Sequence, residues 1–254
     1  MKVIAITLNT LKENLRDKIL YNLLIFALIL IILSVSLAEL TIGEQLKIVT
    51  DFGLASISIF GTLMAIFLGI GLVYKEIDRK SIYTLIAKPV SRLQFILGKF
   101  LGLLLTIFIN IAIMFAAYVA VLYYMDINLS WALTQAVILI FLKLMIITAV
   151  ALLFSTFTTP TLSAIFTLSF FVIGHFVNDI KSFGKESDNL LYQWGSNVLY
   201  YLIPNLSNYN HLGDASYGIA MTPSDFLNAL AIGLVTTCLI LAVAIFIFQR
   251  RDFV

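Results

Sequence analysis

"WALTQAVILIFLKLMIITAVALLFSTFTTPTLSAIFTLSFFVIGHFVN", residues 131–178, carries one formal charge, Lys143. A helix rises 1.5 Å per residue and the hydrocarbon core of a bilayer is about 30 Å thick, so roughly 20 apolar residues cross it. This run is too long for one crossing. "STFTTP", Ser155 to Pro160, divides it, because proline cannot continue a helix and disfavours helix at the residue before it. The stretch therefore reads as two spans, 131–154 and 161–177.

Working outward, four more apolar runs have spanning length: 19–38, 52–74, 100–124 and 226–248. The composition agrees. Of 254 residues, 61% are hydrophobic and 12% charged, against about 25% charged in soluble domains. Mean hydropathy is +1.03. In lipid every backbone group must bond internally, so spans are helices or closed barrels. Barrel strands alternate and are short; these runs are long and continuous. The fold class is an all-α membrane protein with six transmembrane helices in a single domain, 1–254. The start, "MKVIAITLNTLKENLRDK", is too polar for a cleavable signal peptide. Cys238 is the only cysteine, which excludes an intrachain disulfide and a thiolate metal cluster.

Lysine and arginine set orientation. With six spans, one side holds Lys2, Lys12, Arg16, Lys18, Lys75, Arg79, Lys80, Lys88, Arg92, Lys99, Arg250 and Arg251; the other holds only Lys47, Lys181 and Lys185. Both termini are expected on the cytoplasmic side of the cell's inner (cytoplasmic) membrane. Two segments are expected to lie along the membrane. In residues 3–17, Ile4, Leu8, Leu11 and Leu15 form an apolar stripe, with Lys12 and Arg16 elsewhere on the wheel. That is an interfacial amphipathic helix; a simple extension of the first span is the plainer alternative. The aromatic segment 178–225 either enters the outer leaflet and returns or lies on its surface.

"EIDRKSIYTLIAKPVSRLQFILGK", residues 76–99, is the dense polar stretch between spans two and three. Ile77, Ile82, Leu85 and Ile86 give one apolar face, Pro89 interrupts, and Ser91 is an N-cap candidate for the next helix. Charge alone is explained by a basic turn obeying the positive-inside rule. The amphipathic pattern suits a surface that receives a soluble partner and passes force into spans two and three.

The pattern E-x-x-x-K-S-I-x-x-L-x-x-K-P-V-S-R-x-x-F-x-x-G-K resembles the coupling region of ABC-2 type transporter permeases, including copper-processing, multidrug and lipid-exporter permeases. Glu76, Pro89, Arg92, Gly98 and Lys99 occupy matching positions, while Lys80-Ser81-Ile82 stands where many members have Gly-Thr-Leu. The basic start resembles the family's elbow helix, "FSTFTTP" its inner loop, the segment before span six its external re-entrant helices, and "FQRRDFV" its terminus. The resemblance implies a non-catalytic half-transporter subunit. A second permease, identical or homologous, and two copies of an ABC ATPase subunit would complete an exporter. Glu76, Arg79, Ile82, Leu85, Pro89 and Arg92 would couple to the ATPase. No cofactor is expected in this chain: ATP and Mg would be bound by the partner ATPase. The sequence has no Gly-x-x-x-x-Gly-Lys-Ser/Thr loop, since Gly98-Lys99 is preceded by Leu93 and followed by Phe100. Membrane lipid is an expected partner and nucleic acid is not.

Lys143 falls mid-span, where a charge is costly and marks a functional hypothesis. It reads either as a contact to an anionic substrate or lipid headgroup, with Asn110 a neutral neighbour, or as a lysine snorkelling to the interface. His175 and Asp179, spaced i, i+4 at the outer end of span five, could build half of a metal or proton site; a helix-capping hydrogen-bonded pair is the plainer reading. Gly53, Gly61, Gly69 and Gly71 in span two permit close helix packing. Two rivals remain. A non-transporting scaffold could recruit a cytoplasmic protein through 75–99. An intramembrane enzyme lacks paired carboxylates or a metal-ligand cluster.

Overall fold

The computed structural model describes residues 2–41, 43–78, 91–186 and 189–250, with 72–78 traced by backbone alone. Nine α-helices and one 3-10 helix occur among the described residues: α1 Lys2–Asn14, α2 Lys18–Glu39, α3 Gln45–Asp78, α4 Arg92–Tyr124, α5 Trp131–Ser155, α6 Pro160–Glu186, α7 Leu190–Leu202, the 3-10 helix Leu206–Tyr209, α8 Leu212–Ser216 and α9 Pro223–Arg250. Six of them, α2 to α6 and α9, are long and apolar enough to cross a membrane.

Local chemistry sets several starts. Asp17 caps α2, its side chain accepting from Ile19 N at 3.0 Å. Ser91 and Gln94 form a capping box on α4, each side chain bonding the other's backbone N–H. Ser130 caps α5.

Side-chain size then decides the layers. α3 and α5 are the most buried spans, and α2, α6 and α9 surround them. Three of the span-two glycines admit neighbours. The Tyr118 ring lies on Gly53, Leu144 on Gly61, and a Cβ at Gly69 would stand 2.6 Å from the Ala151 Cβ. The Gly61 and Gly69 contacts advance together along α3 and α5, so these helices run in the same direction. Leu142 of α5 packs on Gly233 of α9.

One end of the bundle gathers α1, the start of α4 and the finish of α9; we call it the basic end. The far end carries the α6–α9 connection. There α7 folds back along α6: Ser196 sits against Gly184, and beyond α7 Leu206 of the 3-10 helix sits against Gly174. Asn178, Asn205 and Ser207 close a hydrogen-bonded ring, at 3.2 Å from Asn178 to Ser207, 2.9 Å from Asn205 to Asn178 and 2.6 Å from Ser207 to Asn205. The Ser216 hydroxyl bonds the Asp51 carboxylate on α3. Gln135 on α5 accepts from Met221 N at 3.0 Å and donates to Met221 O at 3.4 Å.

The helices outrun their hydropathy windows for physical reasons. α3 starts at Gln45 rather than 52 because Lys47 pairs with Glu44 and sits over the Tyr217 ring, while Asp51 is used by Ser216. α6 continues through the polar "NDIKSFGKE" to Glu186 because α7 packs along it. His175 accordingly lies inside α6 rather than at its end. Its Nδ1 bonds the Phe171 carbonyl at 3.0 Å, one turn back, instead of Asp179.

Candidate functional site

Two places carry the polar chemistry singled out in the sequence. The first is the base of α4. Arg92 Nη1 donates to the carbonyls of Phe248 at 3.0 Å and Gln249 at 2.7 Å. The last carbonyls of a helix have no intrahelical donor and form the negative end of its dipole. Arg92 therefore caps α9 from another helix. One turn along, Phe95 stacks on Phe248, with centroids 5.8 Å apart.

The next turns of α4 hold α1. A Cβ at Gly98 would lie 2.7 Å from Ile6 Cβ, and one at Gly102 2.6 Å from Thr10 Cβ, so α1 approaches α4 where α4 has no side chains. Thr7 Oγ1 donates to the Gly98 carbonyl at 3.2 Å. Lys99 Nζ reaches Glu13 at 3.6 Å, with the lysine side chain 3% exposed. Asn14 Nδ2 donates to Thr106 Oγ1 at 3.2 Å, and that hydroxyl donates on to the Gly102 carbonyl at 2.8 Å. The base of α4 is thus fastened on one side to α1 and on the other to the end of α9.

The second place is Lys143. It is 1% exposed and its Nζ donates to Ser58 Oγ at 2.6 Å, between α5 and α3. Lys143 is inside the bundle, so the snorkelling alternative does not describe it. No carboxylate lies within ion-pair distance of it among the described residues. An ammonium carries three donors; one is spent on Ser58. Asn110 is also buried, but its Nδ2 donates to Thr106 O at 2.8 Å in its own helix, and its Oδ1 has no partner among the described residues. No hydrogen bond joins Asn110 to Lys143. Ser58 is the residue that sequence reasoning missed. Its signal is modest: a hydroxyl deep in an apolar span, usable as an acceptor at the depth of the lysine.

Of the remaining sequence-derived residues, Glu76 lies in the backbone-only part of α3, and Arg79, Ile82, Leu85 and Pro89 lie outside the described residues. No group of three or more His, Cys, Asp or Glu side chains that could hold a metal occurs among the described residues.

Six long apolar helices, two of them buried among the other four, define a helical multi-pass membrane protein. A family model described as ABC-2 family transporter protein matches residues 8–253. The chain belongs to that family, whose members are membrane components of transporters. No curated protein matches the sequence.

Proposed function

We propose that this chain is the permease subunit of an ABC exporter, driven by a separate ATPase that docks on the segment between α3 and α4. The termini and that segment would face the cytoplasm, as the lysine and arginine distribution favours. A second permease, identical or homologous, would complete the pathway, and two ATPase copies would supply ATP hydrolysis. α1 would serve as the elbow helix at the membrane surface: Ile4 and Leu8 are exposed on it while α4 holds its other face. The stretch from α7 to α8 would sit in the outer half of the bilayer, which its fold-back along α6 favours.

The observation that carries this reading is the double fastening of α4. Arg92 is the first residue after the docking segment's Ser91 cap, and it grips α9, while Lys99 and Thr106 grip α1. A push delivered just before Ser91 would move α4, α1 and α9 as a unit. Nucleotide closure of the ATPase would then bias two arrangements of the membrane dimer through differential contacts. Substrate or lipid contact by Lys143 would require α3 and α5 to part, and contact by Asn110 would require α4 to move from its neighbours, because both residues are buried in this arrangement.

The test is co-purification of an ATPase, followed by substrate-stimulated ATPase assays. Arg92→Ala and Glu76→Ala should each lower stimulation about fivefold or more, the scale of a modest coupling energy, with membrane levels retained. Full stimulation in both variants, or no ATPase bound at all, would leave the scaffold reading in its place.

A further inference from the structure

The far ends of α6 and α7 enclose a cleft of about 380 Å³. Its walls include Ile180 and Phe183 from α6 and Leu191, Tyr192, Gly195 and Leu199 from α7, and its surface is almost wholly apolar. Small-molecule sites start at about 300 Å³. Ile180 lies twenty residues after Pro160 (180 minus 160), or about 30 Å along the helix axis. That is the thickness of the hydrocarbon core, so the cleft opens where acyl chains meet headgroups. Trp194 and Tyr201, both strongly exposed on α7, belong at that depth.

Two glycines adjoin the cleft for different reasons. A Cβ at Gly184 would strike Ser196, so that glycine lets α6 and α7 touch. A Cβ at Gly195 would meet nothing within 4 Å. Glycine inside a helix is unfavourable relative to alanine, and packing among the described residues gives no reason for this one. It leaves room in the cleft. Beside the cleft, Lys181 Nζ stands 3.3 Å from the Tyr200 ring centroid and 5.5 Å from that of Tyr201. Asp179 and Glu186 share its helix, but neither pairs with it.

We propose that this cleft binds an acyl chain of a phospholipid drawn from the surrounding bilayer, with the Lys181 ammonium beside the lipid phosphate. The bilayer supplies this ligand at the depth where the cleft opens. The flanking Phe183, Leu190 and Leu191, 75% to 79% exposed, are side chains that a lipid chain would cover. The Lys181 cation gives anionic phospholipids an advantage of roughly fivefold, the worth of one lysine at a membrane surface. The cleft lies at the opposite end of the bundle from Arg92 and α1, so its test does not depend on ATPase docking.

The test uses the full chain, with any subunits that accompany it, in nanodiscs of equal parts phosphatidylglycerol and phosphatidylcholine. Each lipid is traced in turn with a photoreactive acyl chain. Label should appear in peptides covering 180–199, with phosphatidylglycerol favoured roughly fivefold. Gly195→Leu, which fills the cleft from an open position, should bring that label to background while the melting temperature holds. Lys181→Gln should keep the label and lower the headgroup preference about fivefold. Should Gly195→Leu fail to fold, Leu199→Trp fills the same space. Unchanged labelling in the filled variant, or label confined to other helices, overturns the proposal. So does a Gly195→Cys variant whose cross-links join two copies of the chain.

Discussion

Ser58→Ala is expected to destabilise the protein by about 2 kcal/mol, and the same change in a Lys143→Met background is expected to cost almost nothing. The Lys143 ammonium makes its one hydrogen bond among the described residues to Ser58, at 2.6 Å, and both residues are buried. Neutral hydrogen bonds between membrane helices average only about 0.6 kcal/mol. Bonds to a charged group are worth about 1.5–3 kcal/mol, and this one is the acceptor of a cation with no nearby carboxylate. Removing the acceptor leaves the charge without protein solvation. Lys143→Met removes the charge and keeps an unbranched side chain, one atom shorter, and replacing a buried charge by an apolar side chain of similar volume is often neutral or stabilising. The cycle of four proteins, melted in nanodiscs, isolates the pair. Equal losses in the two backgrounds would mean that the bond contributes nothing specific. Lys143→Met also separates two roles: unchanged melting with lost substrate-stimulated ATPase would mark a contact to substrate, whereas unchanged activity would mark a structural lysine.

The spanning helices were legible because their signal is crude and summed over many residues. α2 and α5 match the expected 19–38 and 131–154 to within a residue at each end, and the capping role of Ser91 could be read from its place after Pro89. What hydropathy missed is where a polar residue stays helical because another element uses it. Asp51 looks like a residue outside the span until Ser216 is seen bonded to it. Lys181 looks like the end of span five until Tyr200 covers it. Residues 204–210, "PNLSNYN", have the composition of a turn-rich loop, yet Asn205 and Ser207 close a ring with Asn178, 27 and 29 positions away. Such partners are set by tertiary register, which no local window contains. The same holds at the base of α4. Arg92 was legible as a functional arginine, but its acceptors are carbonyls of Phe248 and Gln249, and backbone acceptors leave no trace in side-chain patterns. Lys143 was legible as an anomaly, and its partner Ser58 was not, because an isolated serine in a membrane helix is ordinary.

Gly102→Leu is the variant expected to unseat α1. A Cβ at this position would lie 2.6 Å from Thr10 Cβ and 2.9 Å from the Thr7 carbonyl oxygen. A backbone oxygen cannot rotate away, so α1 itself must move. Leucine is the better helix former by roughly 0.5–1 kcal/mol, which alone would favour the variant. Overpacking costs about 1–3 kcal/mol. Lifting α1 also breaks the Asn14–Thr106 bond and the Lys99–Glu13 pair, leaving a buried lysine without that carboxylate. The losses should win. Amide exchange in residues 2–14 should accelerate well beyond that of α5, and substrate-stimulated ATPase should fall with basal ATPase retained. Gly195→Leu is the matched control, the same exchange of residue type in a helix where a Cβ meets nothing within 4 Å. If exchange in α1 stays as slow in Gly102→Leu as in the unmodified chain, then the membrane surface holds α1 and α4 does not, and the double fastening of α4 loses one of its two sides.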